Sequence, residues 1–398
     1  MIEIKNRALK YLAFLFLFGV CFCCISCGKE KKEIHAIPQK LPQNYVVNQQ
    51  VNDVTYIPLA PNPKAYPGEV KKLIILDTLM IVTCVNRSAI YLYDKNGEFL
   101  SLIQPKGNGP LEFQSLQDVA SINAETLLIA DNGLGKIISF SLSSGKPIEE
   151  YKLDYAPFAL AYSDSLLYVL TNDFDGGVIK TSKLSELSSF KSTLFVNPPF
   201  NQINSIQPFW NTGDELFLNA SFSDVIYRAE DEGMSPYVWI GGRENAIDNV
   251  PDNLLSEAFL ARNADARQRI KNVLIPAGDF SCINNIFILR LLNPAGHIFI
   301  YDRKTEEAFL FEQESELMKL EMLTGKPYPI FHTIDQEGFV YMSFFPTKDW
   351  YESITLLPAD DPIRRAAEEG LGDYFGDPAF ENPVLVKFRP GEQFLEVE

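Results

Sequence analysis

The side chains able to do chemistry are few and scattered. The chain has 398 residues but only three histidines, His35, His297 and His332, and they form neither an HExxH motif nor a cluster, so a zinc site of standard form lacks its ligands. Asn172-Asp173-Phe174-Asp175-Gly176-Gly177 sets two carboxylates two residues apart before glycine, as a calcium loop begins. The distal glutamate of an EF-hand is missing, and Asn, Asp and Gly favour a strand turn for reasons of their own. Gly107-Asn108-Gly109-Pro110 could bring backbone N–H groups against a phosphate. No lysine follows at the P-loop position and no helix pattern begins there, so a connection between strands is the simpler reading. A G-x-S-x-G elbow is also lacking. The residues therefore assign no catalytic group, no metal site and no cofactor.

Residue types suited to recognition are better represented. Trp210, Trp239 and Trp350 could each stack on a sugar ring. Trp239 lies in the alternating strand YVWI and reads as core. Trp350, beside Lys348-Asp349 in a long late insertion, is expected to be exposed. Arg243 follows two glycines in a loop. An exposed aromatic and a guanidinium can carry much of a recognition energy, which makes Trp350 and Arg243 the candidate binding residues.

With 35 Lys+Arg against 52 Asp+Glu, the net charge is −17, which argues against a nucleic-acid partner. Residues 1–26 have a basic start (Lys5, Arg7, Lys10) and an apolar run from Tyr11 to Ile25. That run is too short for the roughly 20 residues of a membrane-spanning helix, and it has the form of a signal peptide. Small Ser26 before Cys27, with Lys29-Glu30-Lys31-Lys32-Glu33 after it, resembles a bacterial lipobox; Cys24 stands where a leucine is usual. Cys27 is the expected lipidation site, and residues 27–53, polar and proline-dotted, read as a tether. Four of the six cysteines lie in or at the leader, leaving Cys84 and Cys282 in apolar runs, where a small buried hydrophobe is the simpler reading than a bridge.

The elements that must position any site are short strands. From Val54 the chain is rich in β-branched and aromatic runs separated by Gly, Asn and Asp. One strand-turn-strand unit recurs, from LMIVTC with AIYLYD to FVYMSFF with PVLVKF. Its second strands, at Ile90, Ile137, Val178, Val225, Ile298 and Val384, are spaced by 47, 41, 47, 73 and 86 residues. A unit of about 40–50 residues is one four-stranded propeller blade. Helix-like insertions, about Asp252–Val273 and Pro362–Tyr374, account for the two long spacings. The expectation is all-β: a six-bladed β-propeller over residues 54–398, with helical insertions on one face and Val54–Ala60 supplying a strand to the last blade.

Tyr56-Ile57-Pro58-Leu59, the loop Gly107 to Phe113 (GNGPLEF) and the closing Asn382 to Phe388 (NPVLVKF), in that order around six repeats, resemble the six-bladed β-propeller lipoproteins of Bacteroidota-type bacteria. The resemblance implies the fold and an envelope location, and no reaction.

Strand parity assigns the long connections and both insertions to one end of the propeller and short turns such as Lys95-Asn96-Gly97 to the other. Loops gathered at one end of a rigid scaffold are the usual place for a binding site. The functional expectation is a membrane-anchored envelope lipoprotein, outer-membrane and facing periplasm or surface, that binds a carbohydrate, peptide or protein partner through the loop-rich face. The alternative is a metal-dependent hydrolase, lactonase or lyase at the channel mouth. That would need polar side chains on the innermost strands, and two of these, KLIIL and DVASI, read as chiefly apolar.

Overall fold

The computed structural model describes residues 34–39, 51–61, 66–85, 87–104, 107–173, 176–186, 191–195, 207–231, 233–242, 246–312, 322–325, 330–372, 374–376 and 382–392. The chain divides into Met1–Ile34 and His35–Glu398, and the second unit holds the fold.

Six sheets follow one another along the chain, each built around four antiparallel strands that are consecutive in all but the last. Blade 1 comprises Val70–Ile75, Met80–Cys84, Arg87–Tyr93 and Phe99–Ile103; blade 2 comprises Leu116–Ser121, Thr126–Asp131, Lys136–Ser141 and Lys146–Lys152. Blade 3 begins at Pro157–Ser163, blade 4 at Phe209–Asn211, blade 5 at Ile275–Ile283 and blade 6 at Phe331–Ile334. These first strands contact one another from blade to blade, which makes them the innermost ring.

The period-2 alternation of a strand explains why the blades stack. Ile81 and Val82 are neighbours in one strand, yet Ile81 packs with Val119, Leu127 and Ile129 of blade 2, while Val82 packs with Tyr341 and Leu385 of blade 6. The strand Met80–Cys84 is thus apolar on both faces. A one-residue register slip would exchange the two cores, so register is strongly specified.

The ring closes through the N-terminal strand. Val51–Pro58 pairs antiparallel with Val384–Pro390, setting Pro58 opposite Val384 and Val51 opposite Pro390. Beyond the ladder, Leu59 N donates to the Pro383 carbonyl at 3.2 Å, and the Asn382 side chain, wholly buried, donates through Nδ2 to the Leu59 carbonyl at 2.9 Å. The Tyr374 hydroxyl donates to the Asn382 carbonyl at 2.7 Å. Gly97 of blade 1 has φ +87°, and a Cβ there would stand 2.2 Å from the Pro58 carbonyl oxygen, so only glycine lets this turn reach the closing strand.

Residues 27–53 do not behave throughout as the tether read from their composition. Ile34–Ala36 is a fifth strand on blade 4, and Pro38–Gln39 runs parallel to the outer strand of blade 5, covering two exposed edges. The residues before Ile34 lie outside those described.

The first insertion holds two helices instead of one: α1, Asp252–Phe259, and α2, Ala264–Arg269. Asn263 breaks the pattern because its side chain accepts from Asp265 N and Ala266 N, capping α2. The second insertion also holds two, α3 (Lys348–Ile354) and α4 (Pro362–Leu371), capped by Thr347 and Asp361. Each insertion has its own core: Leu254, Leu255, Ala258 and Ile270 pack on Phe222 of blade 4, and α4 lies against the closing strand.

Asn382→Ala removes a buried hydrogen bond and strands the Leu59 carbonyl, so unfolding should cost about 1–3 kcal/mol less. Arg389→Ala cuts an exposed pair with Asp53, a hydrogen bond to the Glu337 carbonyl at 2.8 Å and a cation–π contact with Phe339, all at the solvent-exposed edge of the same seam, and should cost less than Asn382→Ala, under about 1 kcal/mol. Denaturant titration of both variants checks this.

Candidate functional site

The inner strands share an irregularity that the repeat pattern hides. In five of the six, pairing with the second strand skips residues near the start: between Val70 and Lys72, Leu116 and Asp118, Pro157 and Ala159, Pro276 and Phe280, and Phe331 and Thr333. The skipped residues include Lys71, Gln117, Asp279 and His332. A β-bulge re-aims a side chain that regular pleating would send between blades, and here it gathers polar groups about the axis.

Lys72 Nζ lies 2.9 Å from Asp118 Oδ2 and donates to the Leu160 carbonyl at 3.0 Å. The same carboxylate oxygen accepts from Leu160 N at 2.7 Å, so one ion pair ties blades 1, 2 and 3 together. Both side chains are deeply buried, at 14% and 6% exposure. Lys71 donates to the Gln117 carbonyl. Burial, foremost, pulls its ammonium below the ordinary lysine range; Asp118 opposes the shift and Lys72 adds to it. Across the ring, Gln207 Nε2 donates to the His332 carbonyl, joining blades 4 and 6, and His332 Nε2 pairs with Ser343 Oγ at 2.7 Å. Arg290 and Asp279 form a further pair on blade 5.

Reading KLIIL and DVASI as apolar missed this network, because the residue that matters heads each run. Lys72 and Asp118 stand 46 residues apart, one blade length. Charges recurring at the blade period were the available signal.

Toward the ends of the inner strands lies an axial cavity of about 260 Å³, whose lining includes Lys72, Tyr162, Gln207, Trp210, Asn211 and His332. Gly213 and Gln336, from the turns after the inner strands of blades 4 and 6, also line it. The cavity therefore sits toward the short-turn end, opposite the insertions on which sequence reasoning centred the site. Short turns leave the axis uncovered there. Among the described residues, no group of three or more His, Cys, Asp or Glu is arranged to hold a metal ion.

Cys27 and Arg243 lie outside the described residues. Trp350 is not the exposed platform expected: it is 8% exposed, its Nε1 donates to the Met322 carbonyl at 2.9 Å, and its ring lies 4.9 Å from Phe344 and 5.7 Å from Tyr56. Gly325 is pressed so closely that a Cβ there would meet the indole at 2.6 Å. The Thr347 cap sets the phase of α3, burying Trp350 and Ile354 one turn apart, so the tryptophan pins the insertion to the propeller. Trp350 and Ile354 at i,i+4 were the legible sign of a helix face.

The GNGPLEF loop cradles an anion of its own. Glu112 Oε2 accepts from Gly109 N at 3.0 Å, and a Cβ on Gly107 or Gly109 would come within 2.8 or 2.9 Å of it. The loop is fastened by Lys136, 2.8 Å from Glu150, whose carboxylate also accepts from Leu111 N at 3.0 Å. The Lys136 hydrogen bond, above all, holds the Glu150 carboxyl below its ordinary value. Asn172-Asp173 and Gly176-Gly177 pair across a hairpin, Asp173 opposite Gly176; Phe174 and Asp175 lie outside the described residues. Cys84 and Cys282 are both buried and outside any disulfide, and burial pushes the Cys282 thiol up to about 12.

Asp118→Ala leaves Lys72 buried without its counter-charge and should destabilise by about 3–5 kcal/mol, while Lys72→Met with Asp118→Leu should lose less than the two single changes together. A double-mutant cycle in denaturant measures the coupling. A carboxyl held below its unfolded value of 4.5 stabilises the fold above that pH, and the contribution is lost as pH falls through the folded value. Glu150→Gln should therefore lower the thermal midpoint at pH 7 and flatten its decline below pH 4.5, as melts across pH would record.

A Bacteroides fragilis protein provisionally described as exported superposes with a TM-score of 0.63 at 13% identity, over 91% of this chain and 100% of that one. Weaker likenesses include BamB from Moraxella catarrhalis, at TM-score 0.43 and 12% identity over 75% of each chain. Another is the extracellular domain of a B. thetaiotaomicron hybrid two-component system, at 0.42 and 10%, over 72% of this chain and 32% of that. At 13% identity the first of these shows the fold alone. No curated protein matches the sequence. A family model described as a domain of unknown function matches residues 34–387, and on that match, with six blades closed by the N-terminal strand, the chain belongs to the DUF4934 family.

Proposed function

We propose that this propeller is an exported protein of the cell envelope, held at the outer membrane by a lipid on Cys27, that binds a peptide or protein partner through its insertion-bearing face and performs no chemistry of its own. The observation that carries the binding reading is where large apolar side chains are exposed. Among the described residues, Tyr66, Leu111, Leu260, Phe345 and Leu356 all lie in connections that strand parity assigns to that face. Ile37, Leu100 and Ile148 lie on outer edges, and none lies in a turn after an inner strand.

Leu260 follows α1 at 57% exposure and Leu356 follows α3 at 86%, so each insertion carries a leucine at the tip between its helices. Both insertions have their cores filled already, and these leucines contribute nothing to them. Covering such side chains is favourable by about 25 cal/mol for each Å² of apolar surface, and exposed apolar surface gathered on one face is what an interface core uses. Aliphatic tips favour a protein or peptide over a carbohydrate here. The location rests on the leader's three-part pattern, on Ser26-Cys27, and on the likeness to a protein provisionally described as exported.

A photo-crosslinking residue at Leu260 or Leu356 should give a discrete adduct in envelope preparations, and one at Gln336 should give none. Adducts only from Gln336 would overturn the choice of face. Cys27→Ala should release the protein from the membrane fraction, and mass spectrometry should find an acylated N-terminal peptide beginning at Cys27; an unprocessed N-terminus would refute the anchor.

A further inference from the structure

The two insertions end in tips of opposite charge. We infer that the partner of the insertion-bearing face is a second copy of this chain, docked about a two-fold axis so that the basic tip of each copy meets the acidic tip of the other. This rests on the reading of that face as a protein-binding surface, and it names the protein. The first tip is the turn from Leu260 to Asn263 between α1 and α2. From Glu257 to Lys271 four exposed cations, Arg262, Arg267, Arg269 and Lys271, stand against two carboxylates, Glu257 and Asp265. Arg267 also donates through Nε to the Ala258 carbonyl at 2.9 Å, tying the two helices together. On a chain of net charge −17 such a run is an exception.

The second tip, Thr355 to Asp361 between α3 and α4, carries Asp360 and Asp361 and no cation. From Lys348 to Leu371 six carboxylates stand against three cations. Two of those cations are engaged within their own helices, Lys348 with Glu352 at 3.6 Å and Arg364 with Glu368 at 2.8 Å. Asp349, Asp360 and Glu369 remain exposed, with Arg365 as the further cation. Each tip thus joins an exposed leucine, Leu260 or Leu356, to a charge of one sign.

A two-fold axis makes both contacts together. Any two points on one face are exchanged by a two-fold axis that lies in the plane of the face and passes midway between them. A second copy related by that axis sets its acidic tip on the basic tip of the first and its basic tip on the acidic one, as an isologous interface requires. Leucine then meets leucine at the centre of each contact, and unlike charges form the rim. An anionic membrane surface would attract the basic tip and repel the acidic one. A second copy satisfies both tips because it carries both. Docking each tip on its own counterpart would set cations against cations, so the charge pattern also fixes how the copies meet.

Analytical ultracentrifugation of the purified chain should show a reversible monomer–dimer equilibrium. Arg262→Glu with Arg269→Glu, or Asp360→Lys with Glu369→Lys, sets like charges together in both contacts and should weaken the dimer by about tenfold or more. An equimolar mixture of these two variant proteins should dimerise again, because the mixed pair restores both contacts. Thermal melts check that each variant is folded; if a charge-reversal variant is not, Leu260→Ser and Leu356→Ser carry the comparison and should each weaken the dimer. A chain that stays monomeric up to about 1 mM, a dimer indifferent to the folded variants, or a mixture that stays monomeric would each overturn the inference. So would binding to phosphatidylglycerol vesicles that is lost in the first variant and kept in the second, since it would assign the basic tip to a lipid surface. Crosslinks from Leu260 and Leu356 separate this inference from the reading beneath it. Adducts with a different protein leave the face as a protein-binding surface and remove the second copy as its partner, whereas the absence of any adduct removes both.

Discussion

Everything in this molecule depends on closing a ring of six sheets. An open stack of blades would expose one apolar sheet face at each end, together with a bare strand edge on its terminal blade. Val51–Pro58 removes both problems by completing blade 6 from the other end of the chain, and Asn382 locks the seam from inside. Because the closing strand leads directly into blade 1, and Gly97 of that blade abuts Pro58, closure also sets how blade 1 meets blade 6.

A closed ring then has an axis, and the axis has to be filled. Regular strands would send nearly every inner side chain between blades and leave the centre to backbone. The bulges alter that, bringing lysine, aspartate and histidine inward at one level. The Lys72–Leu160 and Gln207–His332 bonds span blades that are not sequential neighbours. Buried ion pairs are poor sources of net stability but severe penalties for misassembly, and the axial network makes any wrong blade order expensive. Beyond it, the short turns leave room for the cavity.

The two ends of the propeller thus differ in kind. One carries helical insertions with completed cores and exposed leucine tips, a surface suited to a macromolecule. The other opens onto a cavity of about 260 Å³ whose polar lining includes Lys72 of the buried ion pair. A rigid scaffold can present both because neither asks the blades to move.

The blade count, the order of strands and the closing strand were all legible in the sequence, since they rest on local alternation and on a period set by blade length. Ile90, Ile137 and Val178 mark that period because each must sit in the same place in its blade. The helical insertions could be located from the two long spacings, although their division at Asn263 depended on a cap, and caps act within one turn. The axial site was not legible in the same way. Lys72 and Asp118 look like the polar first residues of apolar strands, and only circular closure brings positions 46 and 88 residues apart within 3.0 Å of one ammonium group. Trp350 met the converse fate. Its neighbours in sequence, Lys348 and Asp349, suggested exposure, while its neighbours in space, Tyr56 and Phe344, buried it. Sequence determined the unit and its repetition, because those follow from the residue-by-residue pattern of burial. Tertiary structure decided which polar groups meet, because that depends on the angle through which the ring closes.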